Sequence, residues 1–380
     1  MGRNVLFVAT VASFIKSFEM NDITLLQKLG CTVYVATNTN EHNPSEENTF
    51  FSSYNILIHP IDFERFPFRA SNLRAIKKIK KIIEKYSIQL VHCHTPVGSV
   101  IARLAAKKFR KNGCKVIYTA HGLQFYHGAP KKDWLIYYPV EKWLSRYTDV
   151  IITINHEDYE LVSKRFHNKK TYYIPGVGVD LSGFCNTVVD KMQKRKGLGV
   201  REQDFLLLSV GEINDNKNHQ IVIRAISKID NPSVKYYIAG EGPLAESLLY
   251  LIGELGLNDQ IKLLGQRTDV FELLKCSDAF VHPSKREGLS VALMESMAAG
   301  LPVICSDIRG NVDLIDDNQG GYLCQVDSVD DYADAITKLM NDKALCKRFA
   351  DHNQKKIQEF SLDVVDKKMR SIYNDILVTE

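Results

Sequence analysis

The sequence predicts an α/β fold made of two doubly wound parallel-sheet domains that face each other across a cleft. Strand-like apolar runs alternate with helical patterns along the whole chain, which indicates βαβ units with helices on both faces of each sheet. The length of 380 residues exceeds what one ordinary hydrophobic core holds. The stretch Pro175-Gly176-Val177-Gly178 and the polar segment after it have the composition of a linker.

The predicted elements divide at this linker into a domain covering 1–175 and a domain covering 176–360. First-domain strands are predicted at 5–10, 32–37, 90–94, 115–119, 149–154 and 171–174, and helices at 71–86, 97–112, 134–147 and 156–166. Second-domain strands are predicted at 204–210, 235–239, 261–264, 279–282 and 302–306, and helices at 217–229, 244–256, 268–275, 291–299, 328–341 and 343–359. A last helical stretch covers 361–379. Ligands of such sheets bind at the carboxyl ends of the strands, so the turns after the strands are the candidate site.

The composition is that of a globular protein, with 45% apolar and 25% charged residues. No uninterrupted apolar run reaches the roughly 18 residues of a membrane span. The eight cysteines are scattered and form no C-x-x-C pair, which is typical of reduced, buried cysteines in a cytosolic protein. These features predict a cytoplasmic protein with no disulfide framework.

Positive charge is concentrated in the first half of the chain. Residues 1–180 contain 25 Lys and Arg against 15 Asp and Glu, whereas residues 181–380 contain 24 against 30. The basic excess is densest at 77–81 and 107–111, on predicted helices. These runs are either solvated helix faces or an attraction to an anionic membrane surface. No nucleic-acid-binding motif is present, so nucleic acid is not an expected partner.

The most informative stretch is 284–302, in which Glu287 and Glu295 stand eight residues apart. Gly288 and Ser290 follow Glu287, and an apolar helical pattern carries Glu295. The amides of residues 288–291 are expected to be free donors at the start of that helix and so to form an anion site. A phosphate-binding site between two carboxylates suits a hydroxyl-rich ligand that carries phosphate, such as a sugar nucleotide. The alternative is a plain turn, a cap and a solvated helix face.

Two turns of the second domain have residues suited to particular contacts, one with a phosphate group and the other with a neighbouring backbone. Lys217 follows the first strand of that domain and is expected to open the next helix, where an ammonium group beside free amides suits a diphosphate. Gly240-Glu241-Gly242-Pro243 closes a later strand, and its glycines permit the close approach of another backbone. We expect both turns at the donor side of the site.

Three histidines follow or end strands of the first domain. His121-Gly122 is placed to contact a sugar hydroxyl, with a satisfied core histidine as the alternative. His92 and His94 alternate along one strand and point the same way, so they could share a metal ion. Two ligands without a third are insufficient, and no metal site is predicted.

Several enzyme classes are excluded by the motifs that the sequence lacks. The first strand is not followed by G-x-G-x-x-G, which argues against a nicotinamide dehydrogenase. There is no P-loop, no G-x-S-x-G and no Asp-x-Asp pair for a divalent ion. On one continuous helix Glu287 and Glu295 would lie about 12 Å apart, farther than the carboxylates of a glycosidase. Hydrolysis is therefore disfavoured.

Taken together, these residues resemble the family 4 retaining glycosyltransferases, which have the GT-B architecture of two Rossmann-like domains. The resemblance covers nearly the whole chain, and further stretches are similar to the bacterial exopolysaccharide and capsule subgroup. The family motifs match at Glu287 and Glu295 (E-x7-E), Lys217, His121-Gly122 and Gly240–Pro243, and the subgroup stretches at 92–96, 118–126, 143–149 and 211–219.

The resemblance implies a role for each matched residue. His121, Lys217 and Glu287 are the implied catalytic residues: Glu287 holds hydroxyls of the donor sugar, Lys217 neutralises the departing diphosphate and His121 contacts the sugar near its reacting end. Glu295 binds the ribose. The remaining implied donor-site residues are Gly211, Glu212, Gly265, Gln266, Arg267, Gly288, Leu289 and Ser290, and the implied acceptor-side residues are Ser13, His94 and Thr95.

The resemblance also implies the reaction and its partners. The donor is a UDP-sugar, the anomeric configuration is retained, and no cofactor or metal is expected. The acceptor is a saccharide linked to undecaprenyl diphosphate or another carrier, at the inner face of the cell membrane. The last helix, within 361–380, is the family's helix that returns to the first domain. Glu212 stands where the family usually has Arg, so Arg286 or Arg309 is expected to substitute.

Two other functions remain open from the sequence. A UDP-sugar epimerase shares this architecture and needs no acceptor. A non-catalytic partner subunit would bind nucleotide without turnover, as the loss of a positive charge at Glu212 suggests.

Overall fold

The computed structural model describes residues 3–40, 44–64, 70–186 and 189–378, which form two compact units. The first unit consists of Met1–Val177 and Asp363–Glu380, and the second of Gly178–Leu362. Each unit is built around one parallel sheet. Two Rossmann-like α/β domains are therefore present, as the sequence predicts.

The first unit contains a seven-stranded parallel sheet in the order β3-β2-β1-β4-β5-β6-β7. Its strands are β1 (Asn4–Val11), β2 (Thr32–Asn38), β3 (Leu57–Pro60), β4 (Leu90–Cys93), β5 (Lys115–Ala120), β6 (Val150–Thr153) and β7 (Lys170–Tyr173). Its helices are α1 (Ala12–Phe18), α2 (Met20–Lys28), α3 (Pro44–Ser53), α4 (Ala70–Lys85), α5 (Pro96–Ala106), α6 (Lys131–Ser145) and α7 (His156–Arg165), with a 3-10 turn at Phe109–Asn112. The central strands are buried on both faces, which explains their continuous apolar sequence.

Four elements of this unit were not predicted from the sequence: the helices α1, α2 and α3 and the strand β3. The strand lies at the sheet edge, has only four residues and is half exposed. An edge strand of this length carries little of the apolar pattern that marks the central strands. The short helices α1 and α2 meet at Glu19, which interrupts the helical period.

The second unit contains a six-stranded parallel sheet in the order β10-β9-β8-β11-β12-β13. Its strands are β8 (Phe205–Val210), β9 (Val234–Ala239), β10 (Ile261–Leu263), β11 (Ala279–His282), β12 (Val303–Ser306) and β13 (Gly321–Cys324). Its helices are α8 (Leu181–Asn186), α9 (Lys191–Leu198), α10 (His219–Ile229), α11 (Ala245–Glu254), α12 (Val270–Cys276), α13 (Val291–Ala298), α14 (Asn311–Leu314), α15 (Val329–Asn341) and α16 (Lys343–Lys356), with a 3-10 turn at Ile357–Phe360.

The edge strand β13 was also missed, because it begins with a glycine. A Cβ atom on Gly321 would lie 2.1 Å from the carbonyl oxygen of Val303 on β12. Only glycine lets this strand pair with its neighbour, although glycine is depleted in strands generally.

The final helix, α17 (Leu362–Val378), belongs to the first unit apart from its first residue. The Tyr373 hydroxyl lies 2.9 Å from Asp22 Oδ2 and 3.0 Å from His92 Nδ1. All three residues belong to the first unit, and Tyr373 is fully buried. The tyrosine therefore ties the C-terminal helix to α2 and β4. Residues 379 and 380 of the predicted helix fall outside the described part of the chain.

A second buried network holds the start of α10 against the sheet of the second unit. His219 Nδ1 lies 2.9 Å from the Tyr236 hydroxyl, which lies 2.8 Å from Ser209 Oγ. Ser209 Oγ in turn donates to the carbonyl of Val281 at 2.5 Å. These bonds join β8, β9 and β11 to the first residue of α10. They fix the loop that precedes α10, and this loop contains Lys217.

We expect Tyr373→Phe to lower the free energy of unfolding by about 1–3 kcal/mol, because the buried His92 and the partly buried Asp22 lose their shared partner. Urea unfolding measures the difference. The control is Tyr54→Phe, since Tyr54 is 44% exposed and should change little. Equal stability of the Tyr373→Phe protein and the wild type would contradict this account of α17.

We expect His219 to make folding pH-dependent. Burial, together with the positive charges of His282 and Lys217, lowers the pKa of His219 to about 3, whereas the unfolded chain has the ordinary value of about 6.5. The stabilisation is complete above about pH 6.5. It is lost as the pH falls toward 3, by up to about 1.4 kcal/mol per pH unit, because the unfolded state binds the proton.

Unfolding of the wild type and of His219→Asn at pH 7 and pH 5 tests this expectation. Asn keeps a polar group near the Tyr236 hydroxyl but cannot titrate. The wild type should lose more stability between the two pH values than the variant does. Identical losses would show that His219 does not titrate on unfolding.

Candidate functional site

An ion pair between two loops lies at the centre of the second unit's candidate site. Lys217 Nζ lies 2.7 Å from Glu287 Oε1, and both side chains are largely buried. Lys217 lies in the loop after β8 and Glu287 in the loop after β11, and these strands are neighbours in the sheet. Carboxyl ends of neighbouring parallel strands meet at one edge, which brings residues far apart in sequence together. The structure thus joins two of the three residues that the resemblance implied to be catalytic.

The position of Lys217 differs from the sequence expectation in one respect. The helix α10 begins at His219, with Asn218 as its N-cap in a left-handed conformation (φ 53°). Lys217 therefore does not open the helix but lies in the loop before it. The Lys217 amide donates to Asn214 Oδ1 at 3.0 Å, which forms a side-chain turn that was not predicted from the sequence.

Glu287 is held from two further sides. His282 Nε2, at the end of β11, lies 3.2 Å from Glu287 Oε1. Burial alone would raise the pKa of Glu287, but the hydrogen bonds and charges of His282 and Lys217 outweigh burial and hold this pKa well below its usual range. The carboxylate is therefore ionised at neutral pH. The Arg309 Nε donates to the Glu287 backbone carbonyl at 3.3 Å and supports the loop. His282 was not among the predicted site residues.

Glycines let two loops of this site pack without side chains between them. A Cβ atom on Gly240 would lie 1.9 Å from the carbonyl oxygen of Gly211, and one on Gly242 would lie 2.3 Å from that of Ile213. A Cβ atom on Gly211 itself would lie 3.2 Å from Lys217 Cε. The Gly240–Pro243 turn therefore supports the loop that carries Lys217, which is the close backbone approach that its glycines predicted.

The helix that carries Glu295, α13, begins at Val291, as the sequence predicts. Ser290 is the N-cap of α13, and its hydroxyl accepts a hydrogen bond from the Leu293 amide at 3.3 Å. Gly288 and Leu289 therefore lie in the turn before the helix, and the expectation that amides 288–291 are all helix donors is wrong for these two. A Cβ atom on Gly310 would lie 2.4 Å from the Gly288 carbonyl oxygen, so this turn is closely packed.

Glu295 lies in α13 and differs from Glu287 in its surroundings. Burial raises the pKa of Glu295, and within the described ranges no hydrogen bond reaches its carboxylate. A half-buried carboxylate with no partner is costly unless a ligand supplies hydrogen-bond donors. Glu295 is therefore available to a ligand, whereas Glu287 is already paired.

The other residues implied at the donor side occupy two neighbouring loops. Glu212 accepts a hydrogen bond from Asn214 at 2.9 Å. Gly265 accepts from the Gly240 amide at 2.9 Å, and the Gln266 amide donates to Glu241 at 3.3 Å. Arg267 donates two hydrogen bonds to Asp269, at 2.7 and 2.6 Å. These contacts keep both loops in place but leave Arg267 committed to Asp269.

The first unit contains a cluster of Glu19, His94 and His121. Glu19 Oε1 lies 3.2 Å from His94 Nδ1 and 3.2 Å from His121 Nε2, and the two nitrogens are 3.3 Å apart. Glu19 and His94 are buried, whereas the His121 side chain is 19% exposed. Burial lowers the pKa of His94, although the charge of Glu19 opposes that change. Glu19 was missed because a single glutamate between two short helices carries no motif.

These three side chains are also a group that could hold a metal ion, since their ligand atoms lie within 4.8 Å of one another. The pair considered from the sequence, His92 with His94, is different. His92 Nε2 lies 2.8 Å from Thr119 Oγ1, and its Nδ1 contacts the Tyr373 hydroxyl. Both nitrogens of His92 are therefore occupied by hydroxyl groups, and His92 does not join His94 in a ligand set.

Of the residues implied at the acceptor side, His94 and Thr95 lie at the end of β4 and Ser13 lies in α1. The Thr10 amide donates to Thr95 Oγ1 at 3.0 Å, and Thr95 has a left-handed backbone (φ 59°). Thr95 thereby holds the end of β1 against the start of α5.

Comparison with known proteins identifies the family. Residues 190–356 match the family described as glycosyl transferases group 1, and residues 4–155 match the family described as glycosyl transferase 4-like. The chain is 37% identical over 98% of its length to Bacillus subtilis EpsD, a protein named as a glycosyltransferase, and covers 97% of it. It is 29% identical to an Escherichia coli UDP-Gal:alpha-D-GlcNAc-diphosphoundecaprenol alpha-1,3-galactosyltransferase, covering 83% of this chain and 84% of that protein.

Solved structures show the same fold. Anabaena Alr3699/HepE, crystallised with UDP and glucose, superposes with a TM-score of 0.79 at 18% identity over 98% of this chain and 100% of that one. A glycosyltransferase of Rickettsia africae gives a TM-score of 0.79 at 20% identity, with 100% of both chains covered. None of the helices in the described ranges is both long and apolar enough to cross a membrane. The chain therefore belongs to the family 4 glycosyltransferases of the GT-B fold and is an enzyme that transfers glycosyl groups.

Proposed function

We propose that this enzyme moves a hexose or N-acetylhexosamine from a UDP-sugar to a saccharide acceptor, with retention of the anomeric configuration, in exopolysaccharide or capsule synthesis. The observation that carries the proposal is the Lys217–Glu287 ion pair of 2.7 Å, which lies at the loop before α13. It places a positive charge and an ionised carboxylate side by side, and a sugar diphosphate requires both.

The donor would be bound by exchange of existing partners. Lys217 turns its ammonium group to the diphosphate, and the amides at the start of α13 add further donors. Glu287, kept ionised by His282, accepts hydrogen bonds from sugar hydroxyls. Glu295 accepts those of the ribose, which supply the donors that its carboxylate lacks. The Arg309 bond to the Glu287 backbone carbonyl supports the loop, and substitution of Arg286 or Arg309 for the positive charge missing at Glu212 stays a prediction.

The transfer step needs no protein nucleophile. The bond between the anomeric carbon and the diphosphate oxygen breaks, and the acceptor oxygen bonds to the same face of that carbon. The acceptor proton passes to an oxygen of the departing UDP. Lys217 and the α13 amides stabilise the charge that develops on the leaving diphosphate. In this proposal no divalent ion is required at the diphosphate, and contact of His121 with the donor sugar stays a prediction.

The relatives support a lipid-linked acceptor. The Escherichia coli protein is named for a diphosphoundecaprenol substrate, and so is a Campylobacter jejuni N-acetylgalactosaminyltransferase that is 31% identical over 42% of this chain. We therefore infer an undecaprenyl-diphosphate-linked saccharide as the acceptor. Such an acceptor would place the enzyme at the cytoplasmic face of the membrane, in contact with an anionic lipid surface.

We expect Lys217→Ala to weaken UDP binding by about tenfold to a hundredfold, since it removes a charged hydrogen bond from the diphosphate. Glu287→Gln should bind UDP with little change but lose transfer, because it removes the contact to the sugar. Calorimetry with UDP and incubation with labelled UDP-sugars and membrane lipid measure the two effects. Lys228→Ala is the control, an exposed lysine of α10 paired with Asp330.

If both the Lys217→Ala and Glu287→Gln proteins bind and turn over donor as the wild type does, the assignment of these residues is wrong.

We expect no isomerisation of the donor when no acceptor is present. Proton NMR measures any such isomerisation directly for each candidate donor: UDP-Glc, UDP-Gal, UDP-GlcNAc and UDP-GalNAc. A new nucleotide-sugar isomer would support the epimerase instead. UDP binding without turnover on any acceptor would support a non-catalytic partner. With acceptor present, the anomeric proton of the product should show the configuration of the donor.

A further inference from the structure

The helix α6 presents an apolar row to solvent. Leu135 is 77% exposed, Ile136 is 53% exposed and Trp143 is 45% exposed. Leu135, Pro139 and Trp143 follow one another at a spacing of four residues, so they share one face of the helix, with Ile136 beside them. An amphipathic helix of a globular protein ordinarily turns such a row toward the core. In α6 the row faces outward.

The opposite face of α6 is fixed to the first unit by a buried ion pair. Arg103 of α5 contacts Glu141 Oε2 at 2.8 Å, and Arg103 is fully buried. Leu144 and Ser145 are buried on the same side, and the Trp134 Nε1 donates to the Tyr126 carbonyl at 3.2 Å. Rotation of α6 to bury its apolar row would break the ion pair and leave charges unpaired inside the protein, which is strongly unfavourable. The exposed row is therefore built into the fold.

Positive charges lie at both ends of this row. Lys131 and Lys132 are exposed at the start of α6, and Arg146 is exposed at its end. The Arg110 guanidinium donates to the Arg146 carbonyl at 3.0 Å, and Lys107 Nζ lies 4.2 Å from the centre of the Tyr147 ring. The basic run 107–111 therefore lies beside the C-terminal end of α6. Of the two acids on α6, Glu141 is buried against Arg103 and Asp133 is half-buried.

We propose that this face docks on a lipid bilayer with anionic headgroups, and we call it the α6 surface: Lys131, Lys132, Leu135, Ile136, Trp143 and Arg146. Leucine and isoleucine side chains can enter the boundary between headgroups and acyl chains, and tryptophan is favoured at that depth. The flanking cations match the negative surface potential of such a membrane. The α6 surface has apolar side chains between cations, and the helix α6 carries no fully exposed acid. Such a surface fits a lipid bilayer better than a protein partner of mixed charge.

This inference rests on the proposed function, because a lipid-linked acceptor is presented at the bilayer surface. It identifies the face of the enzyme that contacts the bilayer. The sequence indicated only the basic runs at 77–81 and 107–111. The structure places the second run beside an outward apolar row.

Sedimentation of the full chain with vesicles tests the proposal. Wild-type protein should bind vesicles of phosphatidylcholine mixed with phosphatidylglycerol, and should bind less as salt is raised. The triple variant Leu135→Ser/Ile136→Ser/Trp143→Ser and the double variant Lys131→Gln/Lys132→Gln should each bind about tenfold more weakly. The matched control is Leu249→Ser/Tyr250→Ser, which removes two exposed apolar residues of α11 in the second unit.

Tryptophan fluorescence gives an independent readout, because the chain contains only two tryptophans. In a Trp134→Phe background, the emission of Trp143 should shift to shorter wavelength on adding the anionic vesicles. An unchanged spectrum, or equal vesicle binding by the wild type and the triple variant, overturns the proposal. A dimer in solution that the triple variant converts to monomer also overturns it, since a second copy would then cover the face.

The two proposals fail separately in these experiments. Lys217→Ala should bind UDP more weakly and keep vesicle binding, whereas the α6 triple variant should keep UDP binding, which also shows that it is folded. Absence of UDP binding by the wild type would refute the proposed donor while leaving the vesicle result to decide on the α6 surface.

Discussion

The ion pair between Lys217 and Glu287 is the interaction on which the candidate donor site depends. It joins the loops after two neighbouring strands at a distance of 2.7 Å, and three other features serve it. His219 fixes the helix behind Lys217, His282 keeps Glu287 ionised, and Arg309 holds the Glu287 backbone. A lysine and a glutamate paired in this way neutralise each other. The pair therefore keeps both charges at a lower cost than either charge would have alone.

Buried polar groups have different roles in the two units. In the second unit the paired glutamate and the unpaired Glu295 differ in pKa because only one of them has partners. In the first unit Glu19 lies between two histidines, and Tyr373 is shared by Asp22 and His92. Each network joins elements that are distant in sequence, so it specifies how strands and helices pack as well as supplying charge.

Predictions from the sequence were most reliable where a residue pattern follows directly from a physical constraint. Buried central strands are continuous apolar runs, and glycines where backbones touch cannot be replaced, so these elements and the Gly240–Pro243 turn were predicted. The edge strand β3 was missed because a half-exposed strand of four residues carries little apolar pattern, and β13 was missed because it begins with a glycine. Lys217 was placed at a helix start because the sequence does not reveal the side-chain turn through Asn214 that delays the helix to His219.

By itself, the sequence determined the two parallel-sheet α/β domains and, through its motifs, the enzyme family. It also predicted Lys217, Glu287, Glu295 and His121 as site residues. Periodicity and short motifs are local, and a linear chain displays them directly. Only the tertiary structure decided which side chains meet: Glu287 with Lys217 and His282, and Glu19 with His94 and His121. It also decided that the apolar row of α6 faces outward, since the buried Arg103–Glu141 pair fixes the rotation of that helix. Contacts of this kind depend on strand order and helix orientation, which residues close together in sequence do not specify.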